Sequence, residues 1–508
     1  MKSLYPLIPA FATILFFVSA TFAQPQSSTP AHITILHVND TYQFTPVESG
    51  TLGGLARVMT IKKEALKENP NTLFMLAGDT LSPSVETRTY RGVQMIDAWN
   101  ALGLDYAVFG NHEFDLKTPE LLQRMKESKF PWLGANVVYA KTGKRFADTP
   151  PYIIRKIDGV KIGIIGLLLP ETKETSSMDA TLEVKDFCTV AKLLVPQIRK
   201  AGARVVVGLT HMFMREDKQL AACAQLDLIL GGHEHTLLQS SANGTPIFKM
   251  TADAREVGKY DLYIDRKTGR LASMDWEVIP VNASVQEDPD FAPVIAKYSD
   301  LLKQLSVQVG SNSVILDALS LSNRTKETNV GNFIADSYRA ATNADVALVN
   351  GGSIRADLTY NPGILTKRAV LSILPFNNPV VKIEISGKTL IDALEHGVAR
   401  SAEDKEPGRF PQISGMSFKF DARKLPGQRV SDVMVGGRPV DLNKTYTLAT
   451  SNFLVANGGD GYTMFKNARV VISEAQARKD SEVFEEAIRN APNSTISPVV
   501  EGRIIRIN

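Results

Sequence analysis

Short apolar runs recur through the first half of this chain, and five of the loops that follow them open with residues that bind metal ions. The runs cover residues 32–38, 72–77, 106–109, 161–169, 203–209 and 226–230. They are rich in Val, Ile and Leu and show little polar alternation, which predicts strands buried on both faces. Between them, residues 55–68, 92–102 and 119–129 carry apolar positions at helical spacing. This alternation predicts a layered α/β domain over residues 31–285. Val38 runs into Asn39-Asp40-Thr41-Tyr42, Ala77 into Gly78-Asp79, and Phe109 into Gly110-Asn111-His112-Glu113-Phe114-Asp115. Leu209 runs into Thr210-His211 and Leu230 into Gly231-Gly232-His233-Glu234-His235. Open α/β sheets bind ligands outside the carboxyl ends of their strands, so these loops converge on one edge.

Four of the seven histidines, His112, His211, His233 and His235, lie in these loops. One loop histidine alone is ordinarily a hydrogen-bonded structural residue, and His37, just before the first loop, is read that way. Five strand ends carrying Asp, Asn and His together point instead to a metal centre. Oxygen and imidazole donors suit Zn, Mn, Co, Fe or Mg rather than a thiolate-loving ion.

At 508 residues the chain exceeds one ordinary core, so two domains are expected. Residues 286–309 are read as a linker, one helix from Asp288 to Val309, and residues 310–508 as a second mixed α/β domain. The net charge of +3 does not advertise a nucleic-acid polymer as partner, so an anionic substrate must be caught by local groups. Lys2, the apolar stretch 4–18 and the small residues ending at Ala23 predict a signal peptide over 1–23. With no membrane anchor expected, the protein is placed in the periplasm or outside the cell. Cys188 and Cys223 either form a disulfide there or are two small buried residues.

The motifs Asn39-Asp40, Gly78-Asp79, Gly110 to Asp115, Thr210-His211 and Gly232 to His235 follow in order those of the calcineurin-like metallophosphoesterases. Within them the chain resembles the 5′-nucleotidase family over nearly all the length beyond the signal peptide. The resemblance implies two divalent metal ions. Asp79 would bridge them, Asn111, His211 and His233 would serve one, and Asp40 and His235 the other. His112 would contact the phosphate or the leaving oxygen, with Asp115 orienting it. One departure is plain: the family usually reads Asp-x-His where this chain has Asp40-Thr41-Tyr42. Tyr42 either ligates as phenolate or lines the pocket. The second is favoured, because a phenol with a pKa of about 10 needs a strongly acidic metal to ionise. His235 fits the wider Gly-His-x-His pattern where nucleotidases often carry an amide.

The second half carries Arg324, Asn350-Gly351-Gly352-Ser353-Ile354-Arg355, Leu374-Pro375-Phe376-Asn377-Asn378 and Asn457-Gly458-Gly459-Asp460-Gly461-Tyr462. These are similar to the 5′-nucleotidase C-terminal domain. The resemblance implies that Arg324 and Arg355 pair with substrate oxygens, that the loop of Asn350 and Gly352 lines the site, and that Asn350, Asn378 and Asp460 meet base or ribose. Phe376 and a second aromatic would sandwich the base. In the family that second phenylalanine stands six residues before the Asp; here Leu454 does, and Phe453 stands seven before Asp460. Either Phe453 still stacks or the sandwich is one-sided. The expected activity is phosphate release from nucleotides, with nucleotide sugars and nucleoside polyphosphates as further candidates. Alternatives are a 2′,3′-cyclic-nucleotide phosphodiesterase with 3′-nucleotidase activity, a sulfur-ester hydrolase, and a non-catalytic nucleotide-binding protein.

Overall fold

A computed structural model of the chain describes residues 29–401, 408–456 and 458–507. The expected signal peptide and Asn457 lie outside these residues. Two six-stranded sheets build the first half. In the first, Ala31–Val38, Thr72–Leu76, Tyr106–Val108 and Trp132–Leu133 run parallel, and Glu256–Ile264 and Leu271–Pro280 close one side antiparallel. In the second, Val160–Leu168, Val205–His211, Leu228–Gly232 and Thr245–Lys249 run parallel between the antiparallel edges Ile153–Ile157 and Leu238–Ala242.

The lack of alternation in these strands follows from their packing. Ile33, Ile35, Leu73 and Met75 from one sheet and Ile162, Ile164, Val207 and Leu230 from the other share one core between the sheets. The opposite faces, through Leu36, Phe74, Val206 and Ile229, pack with Leu55–Glu68, Val93–Leu102 and Phe187–Lys200 as an outer core. Every parallel strand is therefore apolar on both sides, as the sequence requires. Cys188 and Cys223 form a disulfide joining the helix Phe187–Lys200 to the helix Met214–Cys223, with Cα atoms 5.9 Å apart.

The linker differs from the single helix expected. A short 3-10 turn, Pro289–Phe291, leads into Ala292–Lys297, and a break at Tyr298 precedes Ser299–Leu305. Tyr298 is buried, its hydroxyl donates to Asp97, and its ring meets Tyr90 edge-on at 4.8 Å. That anchoring holds Tyr298 at φ −109°, ψ 9°, outside the helical well. Gln308 and Val309, read as the end of the helix, instead open the strand Gln308–Asn312, which pairs with Gly363–Thr366.

The second half centres on a five-stranded sheet ordered Pro411–Ser414, Val346–Asn350, Thr445–Ser451, Val380–Ser386 and Arg469–Ile472. Asn329–Thr342 and Asp480–Asn490 cover one face, and Gly387–Gly397 covers the other. The two halves meet through charged side chains. Arg368 reaches Glu86 at 3.0 Å and Gln43 at 2.9 Å, and Arg88 donates to Ser481 at 2.9 Å and to Asn377.

Candidate active site

The carboxyl ends of the central strands bring Asp40, Asp79 and His211 together, with donor atoms within 4.8 Å of one another. His211 Nε2 lies 3.3 Å from Asp79 Oδ2, and His235 Nε2 lies 3.2 Å from Asp40 Oδ1. The His233 ring stands 5.2 Å from that of His211. Backbone geometry makes this convergence possible. Asp40, Asp79, His233 and His235 all have positive φ, between 48° and 96°. Asp and His are among the few side chains that enter this region, and such strain gathers at functional sites. Gly110 and Gly232 make room for the carboxylates. A Cβ on Gly110 would fall 2.0 Å from Asp79 Oδ1, and one on Gly232 would meet Ala77 O at 2.3 Å.

The donor set fits a bound cation. Burial works against both aspartates ionising, yet His235 and His211 hold Asp40, and His211 and His112 hold Asp79, below the usual carboxylate range. Burial likewise opposes charge on His211, but Asp79 and Asp40 raise its pKa. Two buried carboxylates thus draw positive charge toward themselves. Among the described residues, Asn111 Oδ1 and His211 Nε2 are buried with no hydrogen-bond partner, as metal-seeking atoms would be. His211 Nδ1 contacts Ala77 O at 2.8 Å, which leaves Nε2 as the nitrogen facing the cluster.

Tyr42 is buried beside these groups. Its hydroxyl lies 3.1 Å from Asp79 Oδ2, 3.3 Å from Asp40 Oδ1 and 3.0 Å from His235 Nε2. Burial, with Asp79 and Asp40 adding to it, pushes the phenol well above its ordinary range. His112 sits at the rim, its Nδ1 2.7 Å from Asp115 Oδ2, and Ser82 and the Ser177 amide fix the same carboxylate.

A cleft of about 610 Å³ opens from this cluster between the two halves. Asp79, Asn111, His112, His233 and His235 line one wall; Arg324, Asn350, Gly352, Arg355, Phe376, Asn378, Phe453 and Asp460 line the other. Arg355 lies over the rings of both Tyr42 and Phe376, at 5.6 and 5.8 Å. Asn350 donates to Asp460 at 2.6 Å, and Gly352 donates to Gly408 O at 2.8 Å. A side chain on Gly352 would strike Gly408 Cα at 2.9 Å, so the loop needs glycine there. Of the two residues weighed as the second stacking partner, Phe453 lines the cleft, whereas Leu454 is fully buried in the core. His37 is fully buried, its ring 6.2 Å from that of Tyr260, and among the described residues its ring nitrogens have no hydrogen-bond partner.

Some residues of the site escaped the reading of the sequence. Glu113 accepts from the amides of Asp79, Thr80, Leu81 and Gly110, and so shapes two ligand loops. Its place three residues after Gly110 was a signal, but a carboxylate that binds only backbone has no residue-type partner to reveal it. Arg400 and Arg409 also line the cleft, and no motif marks them.

Comparison with known proteins agrees with this geometry. Residues 33–237 match the family described as calcineurin-like phosphoesterase, and residues 308–467 match that described as 5′-nucleotidase, C-terminal domain. The chain is 31% identical to the trifunctional nucleotide phosphoesterase protein YfkN of Bacillus subtilis over 93% of its own length, but spans only 35% of that longer protein. It is 29% identical to human 5′-nucleotidase, covering 93% of this chain and 90% of that one. The crystal structure of a 5′-nucleotidase precursor from Thermus thermophilus superposes with a TM-score of 0.86 at 29% identity, covering 94% of this chain and 99% of that one. The sulfate thiohydrolase SoxB of Thermus thermophilus shares the fold, with a TM-score of 0.79 at 20% identity over 94% of this chain and 96% of its own.

Proposed function

Given that the chain belongs to the 5′-nucleotidase family and is a metal-dependent phosphoester hydrolase, we propose that it releases phosphate from nucleotides. The observation that carries this reading is the facing of His112 and the metal-donor cluster by Arg355, Phe376 and Phe453 across one cleft. A phosphoryl group beside the cluster would leave its nucleoside on the aromatic wall.

Asp79, Asn111, His211 and His233 would hold one divalent cation, and Asp40, Asp79 and His235 a second. When bound, such ions supply Lewis-acid stabilisation of the phosphoryl oxygens and an acidified water. The protein's own groups do the rest. Asp115 fixes His112 through Nδ1, leaving Nε2 toward the cleft, where a protonated ring can donate to the departing ester oxygen. Arg324 and Arg355 would orient phosphate oxygens, and the flanking rings of Phe376 and Phe453 would hold any base by its π-face. Asn350, Asn378 and Asp460 would contact base or ribose edges. Nucleotide sugars and nucleoside polyphosphates are further candidate substrates, since a cleft of about 610 Å³ is within the range of small-molecule sites. Hydrolysis of 2′,3′-cyclic nucleotides is the second reading; the similarity to a protein named as a trifunctional nucleotide phosphoesterase supports more than one kind of nucleotide phosphoester as substrate.

The test is phosphate release by metal-loaded protein across nucleoside mono-, di- and triphosphates, nucleotide sugars and 2′,3′-cyclic AMP, before and after chelation. Turnover of AMP lost on chelation and restored by a divalent ion is expected. No release from any member, with metal bound, would leave a nucleotide-binding protein instead. Export is part of the same proposal. It rests on the leader-like first residues and the disulfide, which oxidising compartments favour. Among the described residues no helix is long and apolar enough to cross a membrane. N-terminal sequencing of the protein from culture medium or periplasm checks the cleavage after Ala23.

A further inference from the structure

Lys249 ends the strand Thr245–Lys249, and its side chain is 1% exposed. The ammonium donates to the carbonyl of Met212, to the carbonyl of Gly232 at 2.9 Å, and to Glu234, and it pairs with Asp217 at 2.9 Å. Three of these acceptors adjoin the histidines of the donor cluster. Met212 follows His211, Gly232 precedes His233, and Glu234 stands between His233 and His235. The remaining acceptor, Asp217, takes a hydrogen bond from Thr210, the residue before His211, at 2.7 Å. The second oxygen of Glu234 accepts from the Met214 amide, which ties the two histidine loops to each other directly.

We propose that Lys249 is a positioning residue for the metal centre, clamping the loops of His211, His233 and His235 into ligating register. A buried ion pair kept for stability alone has no advantage over apolar residues of the same volume, so its retention calls for another role. Here every acceptor lies within one residue of a histidine or holds the residue that does. The loop it grips is also the strained one: His233 and His235 both have positive φ. Burial opposes charge on Lys249, yet Asp217 and Glu234 keep its pKa above the ordinary lysine range, so the clamp stays charged. Partners of this kind orient ligating histidines, and losing one weakens metal binding roughly 10- to 100-fold.

The inference rests on the metal reading above, and its test separates the two. Mn²⁺ is titrated calorimetrically into metal-stripped full-length protein, and the visible spectrum of the Co²⁺ form is recorded. Lys249→Met is expected to bind Mn²⁺ roughly 10- to 100-fold more weakly and to shift the Co²⁺ spectrum. Glu234→Gln, which leaves Lys249 paired with Asp217, moves both readouts the same way by less. Ile247→Ala, a core truncation on the same strand, lowers the melting temperature but keeps wild-type affinity. Folded Lys249→Met with wild-type affinity and spectrum overturns the clamp. So does an Ile247→Ala protein that loses as much affinity as Lys249→Met. Should Lys249→Met not fold, unchanged binding by Glu234→Gln overturns it. Wild-type protein that binds no divalent ion sinks the metal reading itself, and the clamp with it.

Discussion

Arg355 Nη2 lies 3.0 Å from the phenol oxygen of Tyr42, tying a residue among the metal donors of one half to the substrate-facing wall of the other. The phenol oxygen is already shared among Asp40, Asp79 and His235. Tyr42→Phe is therefore expected to keep its metal content and to lower kcat/KM about tenfold to a hundredfold, because a hydrogen bond to a charged group contributes about 1.5–3 kcal/mol. Metal analysis beside kinetics decides it. Loss of one metal equivalent in Tyr42→Phe would show that the oxygen ligates instead.

Asp79→Asn isolates charge from shape, since asparagine tolerates the left-handed backbone that Asp79 adopts. Phosphate release should fall by more than about a hundredfold, given that such ions supply several kcal/mol of charge stabilisation. The circular dichroism spectrum should be unaltered. A fully active Asp79→Asn protein would falsify the bridging role.

Phe376→Ala and Phe453→Ala should each weaken nucleotide binding by about 1–3 kcal/mol, read as a raised KM for AMP. Hydrolysis of glycerol phosphate, which has no base to stack, should barely change. Leu454→Ala should do the reverse, costing about 2–5 kcal/mol of stability through a core cavity while leaving KM alone. Equal effects of Phe453→Ala on both substrates would remove that ring from the base site.

Replacing Cys188 and Cys223 together by alanine opens a loop spanning 35 positions. The loss expected is about 2–4 kcal/mol, seen as a lower melting temperature with activity retained at low temperature. A melting point unmoved by the double substitution, or by reductant in the wild type, would contradict the expectation.

Asp480 provides a pH signature. Burial pushes its carboxyl up to about 7, against the amides of Ser481 and Asn378 that favour ionisation. The folded state therefore holds a proton that the unfolded chain releases near its ordinary value. The resulting stability is complete below about pH 4 and is lost as pH rises through 7, on the order of 4 kcal/mol in all. The melting temperature of Asp480→Asn relative to wild type should climb between pH 5 and pH 8. A difference that stays flat across that window would show that Asp480 is ionised throughout.

The strands and the residues that follow them were legible in the sequence because burial on both faces writes an uninterrupted apolar run. Each run stops at the carboxyl end of its strand, so the gathering of Asp40, Asp79, Asn111, His211 and His233 at one sheet edge could be read from position. The break at Tyr298 was not legible. Apolar spacing continues through it, and the cause is a tertiary contact with Asp97 and Tyr90. Lys249 and Glu113 were hidden for a related reason: all the partners of Glu113 named above, and two of the four of Lys249, are backbone groups brought near by folding. Phe453 could not be told from Leu454 by counting, because a five-residue helix, Asn452–Ala456, turns one to the cleft and the other to the core.

The left-handed backbone at Asp40, Asp79, His233 and His235 has a practical bearing on how such a centre can be altered or evolve. At these four positions the residue type answers two demands at once, a donor atom and a permitted torsion. An alanine scan there would report both demands together, and a β-branched replacement would fail on conformation before its chemistry was tried. Only exchanges among Asp, Asn, His and Gly move along one axis alone. The set of donor types this scaffold can sample at these positions is therefore short, and a change in what the cluster binds would come more from the groups around it than from these four residues.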